Sequence, residues 1–176
     1  EERFWEAVKP EPLGQEFVQL EKSHGRILSC DVIARYNVPY FDRSNFDGFA
    51  LRAEDTFGAQ ETSPILLRLN TEILTCGVIP SHEVYRGTAS SISTGGVLPR
   101  GSDGVIMIED TLLEENIDSG YSQIKVLKPI VPSNGVSLAG SDIGAGEVVL
   151  RRGQYLGYRE TGTLAAIGEA KVRVWK

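Results

Sequence analysis

The chain has little sulfur and little positive charge, and each shortage removes a class of function. Its 176 residues hold two cysteines, Cys30 and Cys76, and two histidines, His24 and His82. No CxxC pair is present and the histidines stand apart from the cysteines, which argues against a zinc site. Both cysteines fall in apolar, strand-like runs, so buried free thiols are expected, as in a reducing, cytoplasmic compartment. Eighteen Lys and Arg face 24 Asp and Glu, giving a net charge of −6 and a pI near 5.0. Without a basic stripe there is nothing to neutralise phosphates, and nucleic acid is not the expected partner. Arg151–Arg152, the nearest approach to one, reads as a solvated strand end. No apolar run approaches the ~20 residues of a membrane helix, and no basic-then-apolar leader opens the chain. No Gly-Lys-Ser/Thr follows any glycine turn, so there is no Walker loop. The histidines sit in polar contexts without a Ser–His–Asp arrangement, so nothing points to acyl transfer. The first residue is Glu1 rather than Met, and the sequence reads as a portion of a longer polypeptide.

What is present is glycine punctuation: 19 glycines and 8 prolines among short apolar runs. Residues 3–8 predict a short helix, stopped by Pro10 and Pro12. Strands are predicted over 17–20, 26–34, 65–69, 73–79, 90–93 and 104–108. Asp118-Ser119-Gly120 predicts a hairpin tip before a strand over 121–127. From Pro129 glycines punctuate short segments such as 147–150. One helix is expected from Tyr158 to Ile167, with Leu164 and Ile167 on one face and Gly168 as its left-handed stop. A last strand follows over 171–175. Many short strands with two helices predict a β-rich α+β fold. A change of texture near Lys128 divides the chain into an outer lobe, 1–45 with 129–176, and an inserted lobe, 46–128.

Four positions are candidates for chemistry. The run Val38-Pro39-Tyr40-Phe41-Asp42-Arg43-Ser44-Asn45-Phe46-Asp47-Gly48-Phe49-Ala50 places Asp47 beside a glycine among aromatics. Its bland reading is a turn in which Gly48 takes positive φ and Asp47 bonds its own backbone; its functional reading is a carboxylate at a cleft. Thr94-Gly95-Gly96 reads as a plain glycine turn, or as an anion nest of converging N–H groups with the threonine hydroxyl added. Asp142, in Gly140-Ser141-Asp142-Ile143-Gly144, is a turn residue or a ligand. Glu160, in the first turn of the predicted helix, complements the positive helix end or serves a site.

In order and spacing, four stretches resemble the molybdopterin molybdenumtransferase family, which includes MoeA and the gephyrin E domain. They are His24-Gly25-Arg26-Ile27-Leu28; residues 39–50; residues 92–111, from Ile92-Ser93-Thr94-Gly95-Gly96 to Ile108-Glu109-Asp110-Thr111; and Gly140-Ser141-Asp142-Ile143 through Gly146, Gly153, Leu156 and 164–168. The resemblance spans nearly the whole chain. It implies the N-terminal region of a longer protein: an elongated β-rich arm with an inserted α/β lobe, preceding a Rossmann-like pterin domain and a small β-barrel. It implies a homodimer whose cleft joins the inserted lobe of one subunit to the pterin domain of the other. The implied activity is transfer of molybdate into adenylylated molybdopterin, with release of AMP helped by Mg²⁺. On this implication Asp47, Thr94 and Glu160 are catalytic, Thr94, Gly95 and Gly96 hold the oxyanion of the bound group, and Asp47 and Asp142 hold the metal, all four side chains sharing one wall. The chain departs from the family pattern at Asn45, Phe46 and Phe49, and at Ser137 and Ser141, where Arg and Glu are frequent. The rival implication is a non-catalytic, gephyrin-like scaffold.

Overall fold

A computed structural model describes residues 11, 13–116 and 121–176. The helix predicted over 3–8 and the hairpin tip at 118–120 lie outside them. Twelve strands are described: β1 Gln15–Gln19, β2 Val32–Ile33, β3 Arg43–Ser44, β4 Gly48–Leu51, β5 Ile65–Leu74, β6 Thr88–Ile92, β7 Gly104–Met107, β8 Thr111–Asn116, β9 Tyr121–Val126, β10 Val136–Ser137, β11 Val148–Leu150 and β12 Lys171–Trp175. The one α-helix among the described residues, α1, spans Tyr158–Ala166.

The chain forms two compact units, Glu1–Val38 with Gly140–Lys176, and Pro39–Ala139. The outer unit is discontinuous. The insert begins before, and ends after, the predicted 46–128. The reason is pairing that the sequence does not display. β3 pairs antiparallel with β10, Ser44 donates its N–H to Gly96 O at 3.0 Å, and Asp42 Oδ1 accepts the Ala139 N–H at 2.7 Å. The texture change near Lys128 is therefore internal to the insert.

In the outer unit β1 pairs with β12 and β2 with β11, all antiparallel. The strand predicted over 26–34 is reduced to β2, with single bridges at Ile27 and Leu28. The core gathers Leu28, Leu150, Leu156, Leu164, Val172 and Val174. Helix α1 follows local rules. The Glu160 carboxylate reaches back to the Gly157 N–H at 3.0 Å, one half of a capping box. Gly168, at φ +77°, ends it.

The insert is built on a six-stranded sheet ordered β7-β4-β6-β5-β9-β8. Its neighbours are antiparallel except the β5–β6 pair. Alternate side chains enter two cores, as the two-residue period requires. Phe49, Leu51, Leu67, Ile106, Ile124 and Val126 face one side. Ala50, Leu74, Ile92 and Val105 face the other. Burial on both faces explains the uninterrupted apolar run of β4. The two predicted strands 65–69 and 73–79 are one strand, β5, whose pairing with β6 shifts register between Leu69 and Ile73. The polar Asn70-Thr71-Glu72 step is thus an irregularity within a strand, and 75–79 is loop. Helical structure in the described insert is confined to short 3-10 turns, Ala53–Thr56 and Ile108–Asp110.

Candidate functional site at the Asp47–Thr94 contact

Asp47 lies at the margin of β4, and the chain there is fixed from several sides. Ser44 Oγ donates to Phe46 O at 2.6 Å, and Asp47 O accepts the Ile108 N–H at 3.2 Å. The expected turn with Gly48 at positive φ is not formed. Gly48 begins β4, and its φ is not among the positive values. Its requirement is space instead: a Cβ there would lie 1.9 Å from Ile106 O.

The Thr94 turn follows β6 and docks on the same segment. Ser44 receives the Gly95 N–H at 2.8 Å and donates its own N–H to Gly96 O at 3.0 Å. Close packing again selects glycine, since a Cβ on Gly96 would lie 2.5 Å from Leu74 O. These bonds bring Thr94 onto Asp47. Asp47 Oδ1 accepts the Thr94 N–H at 2.7 Å and the Thr94 hydroxyl at 3.1 Å. Both side chains are exposed.

The anion nest expected at Thr94-Gly95-Gly96 is not available in this structure. The three N–H groups are spent within the chain, on Asp47 Oδ1, Ser44 O and Ser93 O respectively. What the contact offers is a carboxylate held by one oxygen. Oδ2 has no hydrogen-bond partner among the described residues. A single open carboxylate oxygen is a competent partial ligand for a hard cation such as Mg²⁺, which keeps several waters and takes further oxygens from a substrate phosphate. No group of three His, Cys, Asp or Glu side chains poised to hold a metal occurs among the described residues, so any such ion would lean on waters and substrate. An open groove of about 540 Å³ elsewhere on the insert has a mixed lining that includes Phe49, Arg68, Asn70, Glu72, Ile73 and Ile108, and neither Asp47 nor Thr94 is part of it.

The remaining candidates belong to the outer unit. Asp142 is exposed, with its N–H given to Val38 O at 3.0 Å and Ser141 Oγ 3.4 Å from its Oδ1. Glu160 is half-buried and caps α1. Asn45 and Ser137, both departures from the family pattern, contact each other: Ser137 Oγ donates to Asn45 Oδ1 at 2.5 Å. The thiols are free but not buried. Cys30 is half-buried and Cys76 is exposed, its S–H donated to Thr94 O at 3.2 Å. Sequence reading took Cys76 for core because Ile73 to Ile79 is apolar; the strand ends at Leu74, and Cys76 lies on the loop beyond.

The family described as the MoeA N-terminal region (domain I and II) matches residues 2–168. A molybdopterin molybdenumtransferase of Staphylococcus aureus strain Mu50 is 34% identical over 163 residues, covering 90% of this chain and 36% of the relative. A putative molybdopterin biosynthesis protein of Methanocaldococcus jannaschii is 33% identical over 158 residues, with the same coverage of 90% and 36%. A crystal structure of the molybdopterin biosynthesis MoeA protein from Pyrococcus horikosii superposes with a TM-score of 0.89 at 39% identity, covering 99% of this chain and 43% of that one. The chain thus spans about a third of the length of these curated relatives, and it belongs to the MoeA N-terminal region family.

Proposed function

We propose that this chain supplies one wall of a molybdenum insertase, which transfers molybdate into adenylylated molybdopterin and releases AMP. The observation that carries the reading is the Asp47–Thr94 contact, which joins a carboxylate and a hydroxyl 47 positions apart at an exposed point of the insert. The similarity to the Staphylococcus relative, a molybdopterin molybdenumtransferase, supports it. So does charge. Residues 39–139 hold 13 Asp and Glu against 7 Lys and Arg, so the net charge of −6 resides in the insert. Bare carboxylates repel an oxyanion, and a cation between them removes the conflict.

Asp47 Oδ2 is the atom we assign to Mg²⁺. When bound, that ion neutralises and polarises the adenylyl phosphate. Thr94 holds Asp47 by two donors, so the free oxygen keeps one direction. Asp142 as a further metal ligand, and Glu160 as a catalytic group, are assignments by resemblance. Each also has a local hydrogen-bonding role. With about two thirds of the relatives' length outside the matched region, we expect chain 1–176 alone to form no molybdenum cofactor; formation by it would refute this division of labour. The working protein is assigned as a cytoplasmic homodimer, checked by sedimentation velocity and by fractionation.

Two substitutions in the full-length protein test the reading. Asp47→Asn keeps an Oδ1 acceptor for the Thr94 N–H and removes the charge. Cofactor formation should fall by roughly a hundredfold or more, with the unfolding midpoint unchanged. Asp47→Ala removes acceptor and charge together and should lower both activity and stability. Full activity in Asp47→Asn would leave the residue as a cap for the Thr94 turn and nothing more.

A further inference from the structure

The Thr94 turn is gripped from one more direction, by a segment with no role so far. Beyond Leu74, the chain continuing from β5 crosses the turn. Leu74 O accepts the Ser93 N–H at 2.9 Å, and the Cys76 thiol donates to Thr94 O at 3.2 Å. The packing is tight: a Cβ on Gly95, which has φ +78°, would lie 2.8 Å from Cys76 Sγ. Gly77, at φ +85°, then reverses the chain, and the segment returns to the strand it left. The Glu72 carboxylate accepts the Ser81 N–H at 2.9 Å, the Ser81 hydroxyl at 2.7 Å and the His82 N–H at 3.1 Å. His82 Nδ1 lies 3.4 Å from the same carboxylate. The Glu72 side chain is only 11% exposed. Burial alone would push its carboxyl up, but the donors of Ser81 and His82 outweigh it and hold the group below its ordinary value. Residues 75–80 therefore form a loop that leaves the end of β5, is tied back to it by Glu72 and touches the Thr94 turn through Cys76.

We propose that Cys76 and Glu72 are positioning residues for Thr94: the closed loop holds the thiol on the Thr94 carbonyl, and so orients the amide and hydroxyl that Asp47 receives. A loop closed at its base has little freedom to withdraw. The Thr94 carbonyl shares its planar peptide unit with the Gly95 N–H, which Ser44 O accepts. With that plane held on one side of Thr94 and Leu74 O holding the Ser93 N–H on the other, Thr94 has little freedom to turn its own N–H and hydroxyl away from Asp47. The inference rests on the Asp47–Thr94 reading for its functional meaning, but not for its structural content.

The test follows the Thr94 amide by NMR-detected hydrogen exchange in chain 1–176. Cys76→Ala should speed its exchange by about tenfold, the size expected for one hydrogen bond, while the core amides of Ile106 and Ile124 keep their rates. Cys76→Ser restores an O–H donor and should return Thr94 to within about threefold of the parent. Glu72→Gln should speed the Ser81, His82 and Thr94 amides together. In the full-length protein, Cys76→Ala should lower kcat with KM for molybdate unchanged, and Cys76→Ser should restore kcat. Unaltered Thr94 exchange in Cys76→Ala, a rise shared equally by Ile106 and Ile124, or failure of serine to restore the rate would each overturn the proposal. Full activity in Asp47→Asn would remove the site reading while leaving the exchange result standing, so the two failures are distinguishable.

Discussion

Four aspartates of the insert make one local gesture, and only one of them does more. Asp42, Asp47, Asp55 and Asp103 each accept a backbone N–H from a distant residue: Ala139, Thr94, Gly87 and Ala53. Asp47 alone among them also takes a side-chain hydroxyl. Asp103 sits at the head of the 3-10 turn 53–56, so Asp103→Ala should cost about 1 kcal/mol by the capping rule, read by urea unfolding, without the activity loss assigned to Asp47→Asn. The Asn45–Ser137 contact can be measured in the same way. A double-mutant cycle of Asn45→Ala and Ser137→Ala should return a coupling of about 0.5–1 kcal/mol, and a coupling of zero would make the pair incidental. Gly48→Ala forces a methyl onto Ile106 O and should destabilise the insert by about 3 kcal/mol or more. The Asp-Gly pair is visible in the sequence, but its reason is not. A turn and a close approach to a far strand both select glycine, and only the fold tells which. The same ambiguity hid the spent amide of Gly95, whose partner Ser44 lies in a distant run, whereas the Gly96 amide closes the local turn on Ser93 O.

Elements set by neighbours in sequence were readable, and elements set by distant partners were not. Helix α1 was predicted within a residue because its cap, its apolar spacing and its glycine stop are all local. β5 was read as two strands because its register shift depends on β6. The loop 75–80 left no trace at all, since it is held by Glu72 meeting Ser81 and His82. That loop has a pH signature with a definite sign. The folded Glu72 carboxyl is lowered from 4.5, so its contribution is complete above that value and is lost as pH falls through the lower, folded value. Acidification should therefore raise the Ser81 and His82 amide exchange rates, after correction for intrinsic rates, before β4 or β9 amides respond. A simultaneous response across the insert would contradict a local loosening. Glu114 is lowered as well, by its bonds from Lys125 and then Gln123. It provides an internal comparison on the β8–β9 hairpin, where the charges are open to solvent and salt weakens them.

At the scale of the whole molecule, two units keep separate cores. Leu164→Ala empties space in the outer core and should cost about 2–5 kcal/mol. Exchange of outer-unit amides such as Val172 and Val174 should accelerate, while Ile106 and Ile124 of the insert hold their rates. Equal acceleration everywhere would mean that the chain unfolds as one cooperative body. The change in glycine spacing near Lys128 does not coincide with the edges of the compact units, at Val38 and Gly140, because β3 and β10 are two residues each and carry no periodicity to read. The edges have a consequence of their own. Val38, the last residue before the insert, forms an antiparallel bridge with Ile143, just after it. The host thus closes its own chain path at the doorway. A guest entered and left through one stapled doorway can be enlarged, traded or deleted without rethreading the host, and a two- or three-residue turn from Val38 to Gly140 should suffice to seal it.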